Sequence, residues 1–89
     1  MQALMKQAQE AQKQMEKAKA ELAETAIEAS AGGGMVTVEM TGAYELINLE
    51  IKPEAVDPDD VEMLEDLIIA ATNEALSQVA ALREEKLPI

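Results

Sequence analysis

The sequence predicts an α+β fold in the order α-β-β-β-α, with two long helices and a three-stranded antiparallel sheet. Three observations predict it. Residues 1–24 lack Gly and Pro and repeat apolar side chains at steps of three and four. Residues 25–53 alternate apolar and polar side chains in short runs punctuated by glycine. Residues 57–86 return to the helical period behind Asp57 and Pro58. At 89 residues the chain is one domain, 1–89, comprising a helical arm (1–24), a sheet (25–53) and a C-terminal helix (57–86).

In the first element Met1, Leu4, Ala8, Ala11, Met15, Ala18 and Leu22 form a heptad seam on one face. Its small residues let another helix approach closely, either within the domain or from a second chain. The strands follow. Thr25, Ile27 and Ala29 alternate with Ala26, Glu28 and Ser30, and the run Gly32-Gly33-Gly34 ends that pattern. Val36, Val38 and Met40 then point one way and Thr37 and Glu39 the other. Thr41-Gly42-Ala43 supplies a turn in which Gly42 suits a positive φ. The third strand, Tyr44 to Lys52, sends Ile47, Leu49 and Ile51 to one face and Leu46, Asn48 and Glu50 to the other, and Pro53 closes it.

The last helix has the strongest start signal. Asp57 caps it, Pro58 suits its first position, and Asp59, Asp60 and Glu62 complement the helix dipole. Val61, Leu64, Ile68, Ala71, Ala75, Val79 and Leu82 recur along one face, which marks it as core. From Leu67 to Ala71 the helix is apolar all round, so two of its sides need partners. Leu64, Leu67, Ile68, Ala71 and Ala75 are therefore the expected core and dimer residues.

Composition points the same way. Tyr44 is the single aromatic and cysteine is absent, so a small core has neither large side chains nor disulfides to support it. Pairing with a second copy is the expected compensation. No apolar run approaches the ~20 residues of a membrane span, and the opening Met-Gln-Ala-Leu-Met-Lys lacks the form of a signal segment. The expectation is a soluble cytoplasmic protein without a membrane partner.

Catalysis finds little to work with. There is no His and no Cys, and Ser30, Ser77 and the threonines have no recognisable base. The glycines lack the spacing of a phosphate cradle and fit a hairpin loop. Asp57, Asp59, Asp60 and Glu62 look like the start of an oxygen-ligand metal site, but capping explains them better, since a calcium loop needs a central glycine and a terminal Glu in loop geometry. No enzyme, cofactor, metal or small-molecule substrate is expected.

The charge distribution is uneven. The total is −11, from 7 basic and 18 acidic residues, and Glu54 to Asp66 alone holds seven acids and no base. Yet Lys6, Lys13 and Lys17 fall within roughly 40° of one another on a helix, opposite the heptad seam. They form a ridge. Two readings stand: a cationic strip for phosphates, or a solvated face in which Lys6 with Glu10 and Lys17 with Glu21 make i, i+4 pairs.

Several segments together resemble a known family. Leu4-Met5-Lys6-Gln7-Ala8-Gln9 with Met15, the hairpin Gly34-Met35-Val36-Thr37-Val38 running to Gly42, Glu50-Ile51-Lys52-Pro53, and Glu62-Met63-Leu64-Glu65-Asp66-Leu67-Ile68 with Ala70-Ala71 and Asn73-Glu74-Ala75 are similar to the YbaB/EbfC family of bacterial nucleoid-associated proteins. The resemblance implies an intertwined, tweezers-like homodimer that binds double-stranded DNA, alters its conformation and resides in the nucleoid. Where family members carry basic residues on the second and third strands, this chain has Thr37, Ile47 and Asn48, and Ser77 and Gln78 take such places on the last helix. The cations left for phosphate contact are Lys6, Lys13 and Lys17, then Lys19 on the flank, and Arg83 and Lys86 at the free end of the last helix. A rival reading has the acidic surface of a dimer dock a basic protein partner, with little DNA binding of its own.

Overall fold

A computed structural model describes residues 1–87. Its elements are α1 (Gln2–Glu24), β1 (Ala26–Ala31), β2 (Val36–Thr41), β3 (Leu46–Ile51) and α2 (Val61–Lys86), with a short 3-10 turn at Pro53–Ala55. The strands form one antiparallel sheet in the order β1-β2-β3. This is the α-β-β-β-α architecture that the sequence predicts.

The core lies between β2 and one face of α2. Val36, Val38, Ala71, Ala75 and Val79 are wholly buried, joined by Ala29 and Met40. Helix α2 lies over β1 and β2. Ala71 and Ala75 are small enough to bring it close to the strands. Strand β3 stays open on both faces, and only Ile51 is half-buried.

The glycine run makes the β1–β2 turn, with Gly32 at φ 64°. A Cβ there would be strained by the left-handed backbone and would push the end of the Leu67 side chain, whose Cδ2 lies 2.7 Å away, out of its place.

Four local expectations are corrected. Helix α2 starts at Val61 behind Asp60, whose carboxylate accepts from the Met63 amide at 3.2 Å. Asp57 instead accepts from the Asp59 amide and shapes the turn before it. Strand β3 begins at Leu46, with Tyr44 left in the turn. An irregularity beside Glu39 and Met40 shifts the register so that Leu46 pairs with Met40, putting it on the face of Leu49 and Ile51. Finally, the positive φ of the β2–β3 turn belongs to Tyr44 (63°) and not to Gly42.

The chain is elongated, 68 Å by 17 Å by 16 Å, with a radius of gyration of 18.4 Å. A compact chain of this length has about 12 Å. The difference is α1. From Met1 to Gln14 every residue is exposed, Met15 and Ala18 are half-buried, and Leu22 alone is buried. The outer part of the heptad seam, including Leu4 at 67% exposure, therefore has no partner within the chain.

Candidate nucleic-acid interface

The free part of α1 is the most cation-rich surface of the molecule. Lys6, Lys13, Lys17 and Lys19 are all exposed along α1, with Glu10 and Glu16 among them and Glu21 and Glu24 exposed at its base. At a rise of ~1.5 Å per residue, Lys6 and Lys17 stand about 16 Å apart along one helical edge, a span of several phosphates on a nucleic-acid strand. Helical geometry puts Lys6, Lys13 and Lys17 on that edge, because it depends only on spacing within a continuous helix. The arm's separation from the body is a tertiary matter.

The sheet presents the opposite charge. On the face turned away from α2, Glu28 pairs directly with Glu39, and Glu50 pairs with Thr37 one step along. Like charges facing each other on neighbouring strands repel polyanions as well as one another. That sheet face carries negative charge, whereas the outer part of the arm carries the excess of cations.

Two further candidates lie at the end of α2. Lys86 is exposed in the last turn, where it complements the helix dipole, and it lines a cleft of about 110 Å³ with Ala18, Glu21, Leu22, Thr25 and Leu82. Arg83 is not a free cation. Its Nη1 donates to the Gly42 carbonyl at 2.8 Å, and its guanidinium carbon sits 5.2 Å from the centroid of the Tyr44 ring.

The expected core and dimer residues divide into two groups. Ala71 and Ala75 are buried within the chain, while Leu64, Leu67 and Ile68 are only half covered. At ~100° per residue, Val61, Ile69 and Leu76 fall within roughly 80° of one another, on the flank from which Arg83 reaches to the β2–β3 turn. Val61 (56% exposed) and Ile69 (57%) on that flank, and Leu46 (46%) and Leu49 (43%) on β3, are large apolar side chains left open to solvent.

Among the described residues, no group of three or more carboxylates is placed to hold a metal ion, and no helix is long and apolar enough to cross a membrane.

The same architecture and residues recur in known proteins. A crystal structure of an uncharacterized protein from Helicobacter pylori matches with a TM-score of 0.83 at 24% identity, covering 92% of this chain and 86% of that one. That likeness concerns the fold. A nucleoid-associated protein of Alkaliphilus metalliredigens is 62% identical over 73 residues, which are 82% of this chain and 64% of the relative. One from Chloroflexus aurantiacus is 50% identical over 84 residues, 94% of this chain and 84% of the relative. The chain thus spans just under two thirds of the length of the Alkaliphilus protein. A model of the YbaB/EbfC DNA-binding family, which is defined by binding and not by a catalysed reaction, matches residues 1–88. A match over that range, with relatives of this similarity, makes the chain a member of the YbaB/EbfC DNA-binding family.

Proposed function

We propose that two copies of the chain pair through the exposed apolar side chains of β3 and α2 and bind double-stranded DNA through the lysine ridges of their two arms. The observation that carries this reading is the free-standing outer part of α1, with Lys6, Lys13 and Lys17 exposed on one edge that Glu10 alone interrupts between Lys6 and Lys17. Contact is with phosphates, since lysine offers a point charge and not the planar fork that reads base edges in pairs. Binding of this kind positions and deforms DNA without strong sequence preference. The relatives' naming as nucleoid-associated proteins supports this reading and an action in the nucleoid. Lys19 and Lys86 add flanking charge.

Pairing is supported by the apolar surface already described. Six exposed apolar side chains, Val61, Ile69 and Leu76 on α2 with Leu46, Ile47 and Leu49 on β3, range from 38% to 57% exposure. Covering them yields about 4 to 9 kcal/mol per chain at ~1.5 to 3 kcal/mol for a fully buried side chain. Twice that is comparable with the ~4 to 15 kcal/mol that association costs in lost translational and rotational freedom.

A second reading has its own support in the Glu28–Glu39 pairing and the acidic run from Glu54 to Asp66. In it, the dimer docks a basic protein. Replacing Lys6, Lys13 and Lys17 by Glu separates the two. Under the first reading DNA retention in a low-salt gel shift collapses; if retention is unchanged, the ridge is not the contact surface.

A further inference from the structure

We infer that Arg83 and Gly42 form the joint that fixes the direction of the α1 arm, making Arg83 a positioning residue and not a phosphate contact. Its functional consequence rests on the arm-binding reading above.

The joint is built around a single residue. The Gly42 amide donates to both the Leu22 and the Thr25 carbonyls, each at 2.9 Å, and so ties the β2–β3 turn to the last turn of α1. On the other side of Gly42 its carbonyl accepts from Arg83 at 2.8 Å. Three elements, α1, the turn and α2, are thus connected through one residue. The contact is close because Gly42 has no side chain: a Cβ would lie 2.5 Å from the Leu22 carbonyl oxygen and 2.9 Å from Leu22 Cβ.

The turn is itself held rigid. Thr41, which is 6% exposed, accepts at its hydroxyl from the Ala43 and Glu45 amides, and its own amide donates to the Glu45 carbonyl at 2.8 Å. Tyr44 adopts the left-handed conformation at φ 63°, unusual for an aromatic, and its ring lies under the Arg83 guanidinium. Arginine suits the position because one planar group donates to the carbonyl while stacking on the ring, which an ammonium cannot do.

The packing at the base of the arm is sparse. Leu22 of α1 is buried and Met15 and Ala18 are half-buried, and beside them a cleft of about 110 Å³ lies between the arm's base and Leu82 and Lys86. Loose packing of this kind leaves direction to the hydrogen bonds. The leverage is large: Lys6 lies about 24 Å along the helix from Leu22, so a tilt of roughly 15° displaces it by about 6 Å. That is twice the ~2.8 Å reach of a lysine–phosphate hydrogen bond.

The chain has no cysteine, which makes the test direct. Gln9→Cys on the arm and Ser77→Cys on α2, both exposed positions, carry spin labels, and labelled chains are diluted into excess unlabelled protein so that distances within one chain dominate. The parent gives one narrow distance distribution. Arg83→Met, which keeps the aliphatic stem and removes the donor, at least doubles its width; Arg83→Lys lies between, and Tyr44→Ala broadens it while leaving the charge in place. An unchanged distribution in Arg83→Met and Tyr44→Ala overturns the joint, since a residue serving only as a phosphate contact leaves the free protein's arm where it was. DNA affinity is then measured on the same variants. A loss of about tenfold or more in both broadened variants supports the functional half, and parental affinity in a broadened variant overturns it. If the parent itself fails to bind DNA, the arm-binding reading falls, and the joint is judged on the distances alone.

Discussion

Leu49 gives the sharpest test of pairing. It sits on β3 on the face shared with Val36 and Val38, yet 43% of it is exposed because α2 covers β1 and β2. If a second copy covers the remainder, truncation loses that fraction of ~1.5 to 3 kcal/mol, about 0.6 to 1.3 kcal/mol per chain. A two-fold interface counts it twice, so Leu49→Ala weakens the dimer by about 1.2 to 2.6 kcal/mol, roughly 8- to 80-fold. Leu49→Lys adds two like charges taken out of water, which brings the loss above ~100-fold. Folding within one chain changes little, because a half-exposed edge side chain can keep its charge in solvent. Sedimentation velocity over a concentration series reads the monomer–dimer constant, and denaturant unfolding of the dilute protein reads the fold. A monomeric parent at micromolar concentration, or Leu49→Lys dimerising as tightly as the parent, refutes the interface.

Two further substitutions test the fold. Asp60→Ala removes the carboxylate that caps α2 and costs ~1 kcal/mol in urea unfolding, more than Asp57→Ala, which loosens only the preceding turn. Val38→Ala deletes two methyl groups from a site with no exposure. At ~0.8 kcal/mol per group plus the cavity term, its cost is about 2 to 3 kcal/mol, with the denaturant slope unchanged.

Sequence patterning is informative wherever the governing geometry is local. The lysine ridge depends on the spacing of Lys6, Lys13 and Lys17 within one helix, and Val36, Val38 and Met40 face the core as simple alternation requires. It misleads where two local signals compete or a distant segment decides. Asp57 and Asp60 are both good capping residues three positions apart, and the chain uses each, one for a turn and one for the helix. The β-register beside Met40 moves Leu46 to the core side, which strict alternation in β3 does not anticipate. Gly42 reads as a turn glycine, whereas its role comes from Leu22, twenty positions earlier in the chain. Arg83 reads as a free cation at a helix end, and nothing near it in sequence announces Gly42 or Tyr44. The exposure of the arm is likewise invisible in the heptad pattern, which implies a partner without saying where that partner lies.

The salt dependence of DNA binding tests the central claim most directly. With two or three lysines of each arm on phosphates, a dimer neutralises roughly 4 to 6, and the log–log slope of affinity against salt is about −4 to −5. Replacing Lys6, Lys13 and Lys17 by Gln should flatten it toward zero. A parental slope near zero, or the same steep slope in the triple variant, contradicts the account.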